Sequence, residues 1–128
     1  MIVNTMHHVA IIVSDLDKTK DFYVNKLGFQ LFREVCRPEV PDQLWMLRRG
    51  EVVLELFIRP NAPQRVTQPE ALGLRHLAFH VDSVPEAIEW LNSRGIETGP
   101  ILMDTNNNIN KPVVFFWDPD GTPLELHE

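Results

Sequence analysis

Two stretches of this chain begin alike. His8-Val9-Ala10-Ile11-Ile12-Val13 and His76-Leu77-Ala78-Phe79-His80-Val81 are apolar, rich in strand-forming residues, and open on His-x-Ala. Each runs into a polar junction, Ser14-Asp15 or Asp82-Ser83, of the kind that caps a helix start. The spacing then predicts a helix over residues 18–26, with Phe22, Tyr23 and Leu27 on one side. A second is predicted over 85–94, with Ala87, Ile88 and Leu91, and Pro85 in its first turn. Gly28 and Gly95 are placed to end them in a left-handed conformation, and a new strand is expected from Phe29 or Ile96. Strands over residues 44–48 and Val52–Ile58 flank Arg49-Gly50-Glu51. Strands over residues 113–117 and Pro123–His127 flank Asp118-Pro119-Asp120-Gly121-Thr122. Both intervening stretches read as tight turns.

Each half therefore reads strand, helix, three strands, and the fold class is α+β. Residues 59–73 hold three prolines and no period, which marks a linker. Modules this small cannot bury a core alone, so they must pair, either within the chain or with a second copy. The 128 residues are expected to form one domain, with modules over about 5–58 and 74–128 joined by the linker 59–73.

Composition narrows the partners. With 44% apolar residues the chain can bury a core. Its net charge of −6, from 12 basic and 18 acidic residues, argues against nucleic acid and against an anionic membrane surface. No apolar run is long enough for a membrane span, and no signal-peptide pattern opens the chain. Cys36 is the only cysteine, so no intrachain disulfide forms and the cytoplasm is the expected compartment. Cys36 itself reads as filler or a bland surface thiol.

Four residues stand out against this background. His8 and His76 hold the same place in the first strand of each half. Glu55 in Val53-Leu54-Glu55-Leu56 and Glu125 in Pro123-Leu124-Glu125-Leu126 hold the same place in the last. A carboxylate in mid-strand among apolar residues is costly to bury unpaired. By strand alternation Glu55 shares its face with Val53 and Phe57, Glu125 with Pro123 and His127, and His8 with Ala10 and Ile12. Taken singly, each is more readily a hydrogen-bonded strand histidine or a solvent-facing carboxylate. Four of them at equivalent places in a repeat favour a divalent metal site.

The chain resembles the vicinal oxygen chelate superfamily, and within it the short bacterial proteins similar to glyoxalase I. The likeness rests on His8-Val9-Ala10-Ile11, on Asp21-Phe22-Tyr23 leading to Leu27-Gly28-Phe29, and on Val53-Leu54-Glu55-Leu56. It continues through Arg75-His76-Leu77-Ala78-Phe79 and from Asp118-Pro119-Asp120-Gly121 to Glu125. It implies paired βαβββ modules whose cupped mixed sheets surround a metal, commonly across a homodimer. It also implies His8, Glu55, His76 and Glu125 as ligands of one divalent ion per site. Zinc, nickel and cobalt are the leading candidates, with manganese and iron compatible. Glu55 sets the chain with the glyoxalase-like members, since the dioxygenases and fosfomycin-modifying enzymes lack a matching glutamate. Two positions depart from glutathione-dependent glyoxalase I. Ile12 stands where that enzyme has an arginine and Arg59 where it has an asparagine, which argues against glutathione recognition.

The resemblance implies a metal-dependent lyase or isomerase. A small substrate would chelate the ion through adjacent oxygens and react through an enediolate, with the hemithioacetal of a 2-oxoaldehyde as reference substrate. Glu125 is the first choice of general base, with Glu55 serving the opposite face. Arg59, His80 and Lys111 are candidate substrate-binding residues, with Arg37 behind them, although each alone reads more readily as solvated charge or an ordinary histidine. Trp45, Phe57, Met103 and Trp117 are candidate pocket walls, and Asn106-Asn107-Asn108 a surface loop that could serve as a lid. Two other readings remain open: an extradiol-type iron dioxygenase, and a non-enzymatic drug- or metabolite-binding module.

Overall fold

The computed structural model describes residues 2–39, 43–106 and 110–128. Asn107 and Asn108, part of the expected lid, lie outside the described residues. The chain divides into two compact units, residues 1–63 and 64–128. The division falls within the segment read as a linker.

Unit 1 opens with strand β1 (Val9–Val13), followed by helix α1 (Leu16–Thr19), which passes into a π-helical stretch over Lys20–Lys26. Asp15 caps α1, its side chain accepting from the Lys18 N–H at 2.9 Å. The sequence predicted one uniform helix over 18–26. The structure widens it: the Leu27 N–H reaches five residues back, to the Phe22 carbonyl. Apolar spacing cannot distinguish the two forms, because Thr19, Phe22, Tyr23 and Leu27 are buried together. Gly28, at φ 79°, turns the chain out of the helix. A Cβ there would sit 2.5 Å from the Arg49 guanidinium, which donates to the Leu27 and Gly28 carbonyls. Strands β2 (Gln30–Cys36), β3 (Gln43–Arg49) and β4 (Val52–Ile58) complete the unit, β3 and β4 joined by a two-residue turn at Gly50-Glu51.

Unit 2 repeats the plan with β5 (Leu77–His80), α2 (Val84–Ser93), β6 (Leu102–Asp104), β7 (Lys111–Trp117) and β8 (Pro123–His127). Ser83 accepts from the Glu86 N–H, and the Glu128 carboxylate accepts from the Val84 N–H at 2.9 Å, so two side chains satisfy the start of α2. Past α2, the Gly95 and Ile96 N–H groups return to the Asn92 and Leu91 carbonyls, a Schellman closure around Gly95. The expected strand does not begin at Ile96. Ile96 is buried and Gly99 donates to Phe115, but Pro100 has no N–H to give, and regular pairing starts only at Leu102. The β7–β8 turn is organised by Asp118, whose Oδ1 accepts from both Asp120 and Thr122.

The two sheets share one topology, β1-β4-β3-β2 and β5-β8-β7-β6, with the first strand parallel to the last. The architecture is α+β, two four-stranded mixed sheets. Alternation separates the faces. In β4, Leu54, Leu56 and Ile58 are buried, while Val53, Glu55 and Phe57 on the opposite face are half-buried. In unit 2, Val114 pairs with Leu126 and Phe116 with Leu124 on the core side, packed beneath α2. No helix among the described residues is long and apolar enough to cross a membrane.

Candidate functional site

The open face of each sheet carries the candidate ligands at equivalent register. In the first sheet Glu55 stands between Ala10 of β1 and Met46 of β3. In the second, Glu125 stands between Ala78 of β5 and Phe115 of β7. A small residue on the neighbouring parallel strand leaves each carboxylate room. Each histidine sits just ahead of its first strand, two residues before that alanine, and so on the same face.

The structure brings these residues together in pairs. His8 Nε2 lies 3.7 Å from Glu55 Oε1, and His76 Nε2 lies 3.0 Å from Glu125 Oε2. The pairs differ in shelter. Glu125 is only 8% exposed and His76 rests edge-on against Phe115, whereas His8 and Glu55 are more open. Among the described residues of the chain, no three His, Cys, Asp or Glu side chains gather into a metal-holding group.

The residues fit a divalent ion in both chemistry and spacing. Imidazole nitrogen and carboxylate oxygen suit borderline divalent cations, and two such ligands about 2.0–2.2 Å from one ion lie about 2.8–3.6 Å apart when roughly 90–110° separates them. The His76–Glu125 distance of 3.0 Å falls within that separation, and the His8–Glu55 distance of 3.7 Å lies just beyond it.

The secondary candidates are scattered. Arg59, just past β4, lies over the Phe57 ring at 5.1 Å, and Arg37 lies 6.0 Å from the same ring. His80 is exposed at the end of β5, in register with His127, and Lys111 is exposed at the start of β7 opposite Asp104. Of the expected pocket walls, Trp45 is 4% exposed and part of the core, while Met103 and Trp117 are exposed.

The sequence reading passed over one charged pair. His127 Nε2 meets Asp104 Oδ2 at 2.9 Å, tying β8 to the short edge strand β6. The hydrogen bond with Asp104 raises the His127 pKa, helped by the Glu128 carbonyl, and the same bond lowers that of Asp104, helped by the Asn106 N–H. The available signal was His127 on the face of Glu125. Its partner lies 23 residues away, on a strand whose register the sequence does not fix. A raised histidine contributes stability below its unfolded pKa and loses it as pH rises through the folded value. A lowered aspartate contributes above its unfolded pKa and loses it as pH falls. The two overlap between about pH 4 and 6.5. Asp104→Asn is therefore expected to lower the melting temperature of metal-free protein more at about pH 5.5 than at about pH 9. Equal losses at both values, read by thermal denaturation, would show the pair to be inert.

Known proteins share this fold. The model of the Glyoxalase/Bleomycin resistance protein/Dioxygenase superfamily matches residues 5–126. The chain is 49% identical to the uncharacterised protein YwkD of Bacillus subtilis, over 100% of this chain and 99% of that one. It is 31% identical to the lactoylglutathione lyase of Escherichia coli O157:H7, covering 94% and 90%. The crystal structure of a glyoxalase family protein from Enterococcus faecalis superposes with a TM-score of 0.94 at 51% identity, each chain covered fully. On the family match, these identities and the repeated fold, the chain belongs to the Glyoxalase/Bleomycin resistance protein/Dioxygenase superfamily, the vicinal oxygen chelate fold.

Proposed function

We propose that the two histidine–glutamate pairs hold one divalent metal ion and that the chain is a glyoxalase I-like lyase or isomerase. The observation that carries this reading is the repetition of the pair. His8 with Glu55 and His76 with Glu125 stand at the same register on the same face of two sheets of one topology. Likeness to a lactoylglutathione lyase over nearly the whole chain supports the reaction class. The chain is a homodimer in this reading, and the ion is zinc, nickel or cobalt before manganese or iron. The substrate is small and offers two adjacent oxygens.

A bound ion supplies Lewis acidity to a carbonyl and its neighbouring oxygen, which acidifies the adjacent C–H. The chain's own groups then move the proton. Glu125, sheltered between Ala78 and Phe115, accepts it at a carboxylate oxygen and returns it to the neighbouring carbon, leaving the enediolate only briefly charged. Glu55 offers a second carboxylate for the opposite face of the substrate. His80, Arg59 and Lys111 are the side chains proposed to orient it. Ile12 and Arg59 stand at the positions that favour a substrate other than a glutathione adduct.

The test is exchange of the substrate C–H in deuterium oxide, followed by NMR, together with the metal content of purified protein. About one ion per two-module site is expected, lost in His8→Ala and Glu125→Ala. Glu125→Gln should keep an ion when loaded and exchange about a hundredfold more slowly or worse. A metal-loaded Glu125→Gln protein that exchanges at the parent rate would remove Glu125 from the base role. A parent that takes up none of these ions would remove the metal reading.

A further inference from the structure

The histidine–glutamate pairs do not account for a cavity of about 560 Å³ that lies within unit 2 beside His76. Its volume is that of a small-molecule site. One wall is the open face of the second sheet, where Phe115 and Trp117 of β7 and Pro123 of β8 surround the Glu125 position. The other is the proline-bearing segment read from sequence as a plain linker, which contributes Arg65, with Arg75 just beyond it.

The two arginines are held differently. Arg65 Nη2 donates to the Leu74 carbonyl at 3.2 Å and the Arg75 carbonyl at 2.8 Å. Those bonds fix the guanidinium through one nitrogen, and no carboxylate among the described residues pairs with it. Arg75 donates from Nε to Glu70, which also lines the cavity, and its Nη1 lies 3.4 Å from His76 Nδ1. Arg75 thus joins the cavity wall to the imidazole that faces Glu125. In a chain of net charge −6, a pinned arginine without a carboxylate in an aromatic-walled cavity is an arrangement for an incoming anion. A guanidinium offers parallel N–H donors that match a carboxylate or phosphate.

We propose that this cavity is the anchoring subsite for the anionic end of the substrate. The ligand is a small carboxylate or phosphate with a planar or apolar body. Its charge meets Arg65, with Arg75 released from Glu70 as the second donor. Its body packs on Phe115 and Trp117, and its reactive oxygens point toward His76. That last orientation rests on the metal reading above; anion binding itself does not.

The test uses the full chain, metal-free and zinc-loaded, titrated with benzoate, phenylphosphonate and neutral benzamide while the Trp117 indole and Arg65 Nε–H signals are followed by NMR. At least one of the two anions should shift both signals in metal-free protein, and benzamide should bind about tenfold more weakly or not at all. Tighter binding of benzoate identifies a carboxylate ligand, and tighter binding of phenylphosphonate a phosphate. Arg65→Met should weaken the preferred anion by about tenfold or more. Benzamide binding as tightly as both anions, unchanged affinity in Arg65→Met, or shifts that miss Trp117 would overturn the proposal. Should Arg65→Met not fold, the benzamide comparison on the parent chain decides alone. Metal uptake is measured separately, so a chain that takes up no zinc yet still binds benzoate refutes the metal reading and keeps this subsite, and a zinc-loaded chain indifferent to both anions does the reverse.

Discussion

Leu54→Ala is expected to lower the unfolding free energy by about 2–5 kcal/mol, while Glu55→Ala, one residue on, changes metal-free stability by less than about 1 kcal/mol. Leu54 is fully buried at the centre of its sheet, in register with Val9 on one side and Leu47 on the other. Truncation there removes burial and leaves a cavity that the flanking strands cannot collapse to fill. Glu55 points to the opposite face, is partly open to solvent, and meets His8 only at 3.7 Å. A domain of this size is stable by about 5–15 kcal/mol, so the leucine change removes a large share and the glutamate change little. Urea denaturation of both metal-free variants measures the contrast. Similar losses would mean that the two faces of β4 are not divided into core and site.

The same division explains what could be read without coordinates. Side chains in a strand alternate, so the repeated Leu-Glu-Leu pattern fixed which face of β4 and β8 carries a carboxylate. Asp15 and Ser83 were legible as caps, and Gly28 and Gly95 as exits, because each has a local chemical reason to be there. What escaped had no local period. The π-helical turn buries the residues that an α-helix would. The late start of β6 depends on Pro100 lying against the edge of β7. The bond from His127 to Asp104 needs that register before it can be seen. Arg65 lies in a proline-bearing stretch without a period, and only the fold reveals the aromatic residues that share its cavity. The proposed metal ligands stood out because a repeat states them twice; Arg65 is stated once.

Zinc added at about a thousandfold over its dissociation constant should stabilise the parent chain by about 4 kcal/mol and leave Glu125→Ala unmoved. The stabilisation arises because an ion bound only by the folded chain shifts the folding equilibrium by mass action, whatever reaction the site performs. Glu125 is the most sheltered of the four proposed ligands, at 8% exposure and 3.0 Å from His76. Its loss therefore removes the ligand least replaceable by water. His127 and Asp104 offer a rival nitrogen and oxygen two residues along the same face, so a shift measured in the parent alone would not locate the ion. Thermal denaturation of Asp104→Asn with zinc separates the two. That variant should keep the full zinc-induced rise, since Asp104 belongs to neither proposed pair. Were the rise kept by Glu125→Ala and lost by Asp104→Asn, the ion would sit at the edge strand, and the repeated glutamates would need another explanation.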